Sequence, residues 1–333
     1  DDAAEKMGVD TMRWLYASQN TEHNLLFGYK IADEVRKNLI TLWNTYSFFT
    51  TYAILDGFNP NDYSEEDLDY DVLDKWILAK INNFINESTI CYEDFELHKL
   101  MKLSSVVLDD LSNWYVRRNR RRFWKSENDN DKIAAYYTLY CCILDYTKVM
   151  SPVIPFIADK IYDNLVCNID DSALSSIHLT SFPKYDKKLV NDELIWQIDM
   201  VKDIVSLGRS ARNKANIKVR QPISDIFVYF KKQNKYDIEC YKDQIIQELN
   251  IKDIKFVTNL SDIVEYEIKP NFAIISQKYG DKKGDIIALI NKSDKKDIIR
   301  KINANQECNL SEDYILSIED LIVNETPNEG YCL

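Results

Sequence analysis

Residues 113–124 set five arginines among four aromatic residues, in the order Asn-Trp-Tyr-Val-Arg-Arg-Asn-Arg-Arg-Arg-Phe-Trp. The whole chain is acidic, with 54 Asp and Glu residues against 42 Lys and Arg and a formal net charge of -12, so this basic segment stands out. A guanidinium is always charged, forks onto phosphate oxygens and stacks on flat rings. Arginines interleaved with Trp and Tyr therefore favour contact with an RNA backbone and with unstacked bases.

On a helix, this segment would present two different stripes. Val107, Leu111 and Trp114 share the face that should point toward a core. The neighbouring stripe combines amide, guanidinium and indole groups in a line that suits a phosphate backbone and a stacked base. We predict RNA contacts for the following residues of this segment: Asn113, Arg117, Arg120, Arg121 and Trp124. Arg118 and Arg122 are weaker candidates, since Arg118 projects with the core stripe.

The same arginines have a structural alternative. They would offset the dipole at the C-terminal end of a helix and pair with Glu127, Asp129 and Asp131. Trp114 and Tyr115 are expected to belong to the core, because aromatic residues at helical spacing usually pack. For the arginines, the sequence leaves both interpretations open.

A second basic segment, residues 209–221, contains no acidic residue. Its cationic side chains form a second predicted RNA contact: Arg209, Arg212, Lys214, Lys218 and Arg220. The alternative is a solvated helix end. If both segments bind RNA, binding should weaken steeply as salt rises, because each neutralised phosphate releases counterions.

Composition limits the classes of protein that remain. With 333 residues, 45% of them hydrophobic, the chain can bury a core and form two or three domains. A pI of about 4.9 argues against a general nucleic-acid coat. The seven cysteines include no C-x-x-C pair, which predicts no metal site and no disulfide framework. We expect a cytoplasmic protein, because no apolar run reaches the roughly 18 residues of a membrane span and no signal peptide is present.

The sequence gives little sign of catalysis. It has no glycine-rich phosphate cradle, no H-E-x-x-H and no G-x-S-x-G motif, and its three histidines are scattered. No catalytic residue, metal ligand or cofactor site is predicted. The residues by themselves describe a binding protein.

Hydrophobic spacing predicts a mainly α fold with a small α/β domain at the end. Helices are expected at 9–17, 31–49, from about 72, and at 93–125, 132–150, 156–166 and 193–216. Strands are expected at 226–230, 254–257 and 264–268, with helical stretches at 241–249 and 285–290. The predicted domains are a helical bundle at 1–166, a linker at 167–192, a connecting helix at 193–222 and the α/β domain at 223–333.

Residues 113–124 closely resemble a motif in the anticodon-binding domain of isoleucyl-tRNA synthetases, which are class I aminoacyl-tRNA synthetases. Further segments resemble the family in the same order: 6–14, 42–49, 73–78, 151–156, 208–222 and 269–272. The second and fourth of these also suit a valyl enzyme, whereas the arginine run favours the isoleucyl one. The resemblance implies the anticodon-binding helix bundle of that class, with residues 1–30 ending the stem-contact region.

In this family the full-length enzyme ligates isoleucine to its tRNA using ATP and Mg²⁺. The chain lacks the class I signature motifs, so the resemblance implies an inactive fragment whose partners are isoleucine tRNA and the missing catalytic and editing domains. The start on Asp1 and the apolar end at Leu333 also suggest a fragment. A free-standing RNA-binding protein and a protein-interaction scaffold without RNA remain alternatives.

Overall fold

The computed structural model describes residues 2–125, 129–230, 237–258, 263–305, 307–311, 314–328 and 331. The chain divides into two compact units, Asp1–Ile195 and Trp196–Leu333. The finer domain borders expected from the sequence stay predictions.

The first unit is a bundle of helices. In chain order they are α1 (Asp2–Met7), α2 (Val9–Ala17), α3 (Tyr29–Asp56), α4 (Val72–Glu93), α5 (Leu97–Asp109), α6 (Arg117–Phe123), α7 (Asn130–Met150) and α8 (Pro155–Tyr162). The π-helical segment Asp110–Val116 joins α5 to α6, and a second one, Asp163–Cys167, follows α8. α4 packs against α5 and α7, and α3 packs against α7. The mainly α fold is confirmed.

Aromatic side chains fill much of the core of this bundle. The rings of Phe84 and Tyr146 stack with centroids 5.5 Å apart, and Phe123 meets Tyr136 edge-on at 5.1 Å. Trp76 is fully buried on α4. Offset and edge-on ring pairs add stability beyond the apolar area that they bury. The helices that carry these rings are therefore held in one arrangement.

The expected helix 93–125 is interrupted twice. Phe95, with φ 59°, ends α4 in a left-handed turn, and its side chain is 89% exposed. The helix restarts at Leu97 and widens into the π-helical segment after Asp109. Periodicity alone does not reveal either feature, because the apolar spacing is helical on each side of the left-handed turn and of the π turn, and only its phase shifts between them.

The second unit mixes helices with three two-stranded sheets. Its elements are α9 (Asp192–Lys214), β1 (Ile223–Tyr229), α10 (Lys242–Leu249), β2 (Ile251–Val257), β3 (Val264–Pro270), α11 (Phe272–Tyr279), α12 (Lys283–Lys292), α13 (Lys295–Asn305), β4 (Glu307–Ser311), β5 (Tyr314–Ser317) and β6 (Leu321–Pro327). β1 and β2 pair in parallel, whereas β3 pairs with β6 and β4 with β5 antiparallel. The predicted strands are confirmed.

An isoleucine-rich cluster fills the far part of the second unit. Ile275 on α11, Ile286 on α12 and Ile299 on α13 pack with residues of β3, β4 and β5. The sequence did not predict α11, α13 or the last three strands. Each of these elements is short, and short apolar runs give a weak periodic signal.

Candidate nucleic-acid interface

The predicted RNA-contact residues of the first segment lie together on the surface of one helix. We call this set the arginine strip, and all of its members are exposed: Asn113, Arg117, Arg120, Arg121 and Trp124. The indole of Trp124, just after the end of α6, is 56% exposed. A row of exposed guanidiniums that ends in an exposed indole offers both phosphate contacts and a stacking surface.

The π-helical segment sets the direction of this strip. A π turn holds one residue more than an α turn, so it rotates the residues that follow it around the helix axis. Leu111 and Trp114 within the segment face the core, with exposed fractions of 0% and 6%. The carbonyl of Asn113 accepts a hydrogen bond from Arg117 Nε at 2.8 Å. The core position expected for Trp114 and Tyr115 is confirmed.

Aromatic rings lie beneath several of the arginines. The guanidinium carbons of Arg117 and Arg118 lie 5.7 and 5.2 Å from the centre of the Trp114 ring. The guanidinium of Arg120 lies 5.9 Å from the centre of the Phe48 ring on α3. A cation over a ring face is attracted by the ring quadrupole. These contacts restrain flat guanidiniums at the surface before any ligand binds.

Arg122 differs from its neighbours because it is buried. Its Nη1 and Nη2 atoms each lie 2.8 Å from a carboxylate oxygen of Asp74, and its Nε lies 2.8 Å from Asp131. Tyr115 donates its hydroxyl to the same Asp74 at 2.6 Å. Burial opposes the charge of Arg122, but the hydrogen bond and charge of Asp74 outweigh it and hold the pKa above its ordinary value. This bidentate pair ties the end of α6 to the first turn of α4.

A second buried cation braces the segment that follows Trp124. The ammonium of Lys132 is fully buried and lies 2.5 Å from Asp56, which also accepts the hydroxyl of Tyr136. Lys132 donates as well to the carbonyl of Lys125 at 2.7 Å. Lys125 in turn pairs with Asp131 at 2.6 Å. Lys125 and Asp129–Lys132 are thus tied to α3 and α7.

The structural alternative for the arginines fits Arg122, which takes the predicted partner Asp131. It does not fit Arg120 and Arg121, since no carboxylate in the described parts of the chain pairs with either of them. Asp129 caps α7 by accepting the backbone N–H of Lys132. Glu127 lies outside the described residues.

The second basic segment lies at the end of α9 and in the turn that follows it. Lys214, Lys218 and Arg220 are exposed, as the prediction requires. Arg209 is half-exposed and pairs with Glu248 at 2.6 Å. Three exposed cations thus lie on this surface together with Arg209.

Arg212 departs from the prediction. Its side chain is 3% exposed, and its guanidinium donates to four backbone carbonyls, those of Lys218, Gln221, Leu249 and Asn250, at 2.7 to 3.1 Å. Burial without a carboxylate partner lowers its pKa from the ordinary value. Four of its five N–H donors are used by these carbonyls and the fifth, on Nε, is buried, so Arg212 stabilises the turn from inside the protein and is not part of the exposed surface.

We call residues 215–222 the basic loop. Asn250, in a left-handed conformation with φ 49°, donates from its side-chain amide to the carbonyls of Val219 and Arg220 at 3.0 and 3.1 Å. Together with Arg212, it satisfies four carbonyl groups of this loop. Since loops order at an entropic cost, a loop held in advance presents Lys218 and Arg220 without that cost on binding.

Sequence reasoning missed the residues that position these surfaces. Asp74 was detectable, because a carboxylate between Leu73 and Trp76 on an apolar helix face needs a buried partner. Asn250 gave no comparable signal.

Within the described residues, no group of His, Cys, Asp or Glu side chains can hold a metal ion. None of the described helices has the length and apolar character needed to cross a bilayer.

Comparison with known proteins agrees with these features. The model of the anticodon-binding domain of tRNA ligases matches residues 74–228. An isoleucine–tRNA ligase of Clostridium novyi is 40% identical over 99% of this chain and 32% of its own length, and that of Clostridium tetani is 39% identical over the same shares. The ligase of Bacteroides thetaiotaomicron is 39% identical over 86% of this chain and 25% of its own.

The chain spans about a third of the length of the Clostridium relatives, 32% in each case. Among solved structures, a LeuRS of Agrobacterium radiobacter K84 in a ternary complex with tRNA has a TM-score of 0.43 and 14% identity, over 58% of this chain and 22% of that one. That likeness is too slight to carry an argument. The isoleucine ligases of the two Clostridium species, in contrast, match 99% of this chain. The chain therefore belongs to the isoleucyl-tRNA synthetase family and includes its anticodon-binding domain.

Proposed function

We propose that this chain is the part of an isoleucine–tRNA ligase that docks the anticodon arm of isoleucine tRNA. The observation that carries the proposal is the arginine strip, an exposed row of guanidiniums inside a matched anticodon-binding domain. Arg120 and Arg121 bind phosphate oxygens in this proposal, and Trp124 stacks on an exposed base. The names of the relatives favour isoleucine over valine.

The basic loop forms a second RNA contact in this proposal. Lys218 and Arg220 are presented on a backbone that Arg212 and Asn250 hold in place. Lys214 precedes them at the end of α9. Backbone contacts of this kind set the position of an RNA on a protein and carry little sequence information.

The complete ligase, with its catalytic and editing domains, would use ATP and Mg²⁺ to join isoleucine to tRNA. We propose that this chain contributes docking and has no ligase activity alone. We also propose a cytoplasmic location, which the free thiols of the six described cysteines support because they suit a reducing compartment.

A filter-binding titration of the chain against isoleucine tRNA, valine tRNA and an unrelated RNA hairpin tests this proposal. We expect the tightest binding for isoleucine tRNA. Arg117→Ala combined with Arg120→Ala should weaken that binding while leaving the thermal midpoint nearly unchanged. Equal affinity for all three RNAs would refute the proposal and favour a general RNA-binding protein. No binding to any of them would refute it and favour a scaffold without RNA.

A further inference from the structure

Two aromatic rings of α3 lie beside the arginine strip. Phe48 and Tyr52 are one helical turn apart, with ring centroids separated by 5.0 Å. Phe48 also meets Phe123 edge-on at 5.2 Å, which connects α3 to the end of α6. The guanidinium of Arg120 lies over the Phe48 ring. α3 therefore contributes to the same surface as the strip.

Core packing accounts for only part of this cluster. Phe123 is 1% exposed and belongs to the core. Phe48 and Tyr52 are half-buried, and Arg120 is exposed. Unpaired bases stack on aromatic rings and on guanidinium planes, and both kinds of surface meet here. The positive charge beside the rings suits the phosphates that flank such a base.

We infer that Phe48, Tyr52 and Arg120 form a platform on which one unpaired base of the bound RNA stacks. The inference rests on the proposed function and extends its interface from α6 onto α3. α3 supplies the flat rings, and Arg120 supplies both a flat face and a charge. The arginine strip thereby holds the backbone of a loop while the platform receives a base from it.

Variants that remove the flat surface without changing charge test the platform. Phe48→Leu and Tyr52→Leu remove a ring, and Arg120→Lys keeps the charge but not the plane. Phe95→Leu is a matched control, because it also removes an exposed ring. Phe95 is 89% exposed and lies in the turn before α5, at the end away from the arginine strip. The probe is the anticodon stem-loop of isoleucine tRNA with 2-aminopurine at one loop position at a time.

The wild-type chain should quench 2-aminopurine fluorescence at one loop position. Each of the three test variants should lose that quenching and bind roughly tenfold more weakly, as expected for one stacked base. The dependence of affinity on salt should stay at its wild-type steepness, because no positive charge is lost. Phe95→Leu should behave as the wild type in every assay.

Wild-type quenching and affinity in Tyr52→Leu and Phe48→Leu would overturn the platform. If Phe48→Leu lowers the thermal midpoint, the result for Tyr52→Leu decides whether the platform exists. The core residue Phe123 packs against Phe48, so a loss of stability in Phe48→Leu can come from that contact. Failure of the platform and failure of the proposed function are distinguishable. If Arg120→Ala with Arg121→Ala weakens binding but the leucine variants bind as the wild type does, the platform alone is overturned. No binding by the wild-type chain overturns both.

Discussion

Burial separates arginines that look alike in the sequence. Arg120 and Arg121 are exposed, whereas Arg122, the next residue, is an internal anchor for Asp74. Arg212 is likewise internal within a segment that reads as uniformly basic. Local sequence shows the charge of a side chain but not its partner, and the partner of Arg122 is 48 residues away. The exposed strip was predictable from helical spacing, and the two internal arginines were not.

At the residue scale, we predict that Asp74→Asn destabilises the first unit. The neutral amide leaves the buried guanidinium of Arg122 without its main counter-charge. Breaking a buried ion pair by removing one partner costs about 3 kcal/mol or more. Urea unfolding of the variant and the wild type measures the difference.

Asp71→Asn is the matched control for this substitution. Asp71 precedes α4 as its exposed N-cap, and asparagine caps a helix about as well as aspartate. We expect the control to unfold within about 0.5 kcal/mol of the wild type. Equal stability of Asp74→Asn and the control would show that the buried pair contributes nothing.

A second residue-scale prediction concerns pH. Burial raises the pKa of Asp145 from 3.8 to about 6, because it outweighs the positive charge of Lys148, which lowers the pKa, and repulsion from Glu65 adds to the increase. A raised carboxyl pKa means that the folded chain binds this proton more tightly than the unfolded chain. The stability that it contributes is therefore complete below pH 3.8 and is lost as the pH rises through 6.

Asp145→Asn should remove this loss, because asparagine stays neutral. We expect its stability advantage over the wild type to grow by about 1–2 kcal/mol between pH values of roughly 4.5 and 7.5. Unfolding free energies of both proteins across that range check the prediction. An advantage that shrinks with rising pH would contradict the assigned direction.

At the element scale, the sequence predicted where most long helices lie and missed how two of them end or widen. The start of α4 at Val72 was predictable, and Asp71 and Asp74 form a capping box there. The π-helical segment was not predictable, because it keeps apolar residues on the core side. It nevertheless determines the direction of Arg117 and the residues that follow.

The basic loop carries an element-scale prediction. Arg212→Met removes the donors to two loop carbonyls, those of Lys218 and Gln221, and to the carbonyls of Leu249 and Asn250. The loop should open more often, and trypsin should cleave after Lys218 and Arg220 roughly tenfold faster, which corresponds to about 1.4 kcal/mol. Mass spectrometry of timed digests measures the two cleavages.

Arg209→Met provides the comparison for that experiment. It also removes one arginine from α9, but Arg209 pairs with Glu248 and does not bind the loop carbonyls. We expect its digestion pattern at the two loop positions to match the wild type. Faster cleavage in both variants to the same extent would argue against a special role for Arg212.

At the scale of the whole molecule, the notable property is an acidic chain with two local basic surfaces. A net charge of -12 repels RNA in general, so binding must be confined to the places where cations gather. The arginine strip lies in the first unit and the basic loop in the second.

The central claim is that the arginine strip binds RNA phosphates. The most direct measurement is the slope of the logarithm of the binding constant against the logarithm of salt concentration, for isoleucine tRNA and three proteins. These are the wild type, Arg120→Ala with Arg121→Ala, and a control with Lys99→Ala and Lys102→Ala. The control removes two positive charges from the other end of the same helical stretch.

We predict that the arginine variant binds more weakly and has a slope shallower by about 1.5, since each lost phosphate contact reduces it by roughly 0.7–0.9. The lysine control should keep the wild-type slope. An arginine variant with the affinity and slope of the wild type would contradict the account, because the strip would then not touch the RNA backbone.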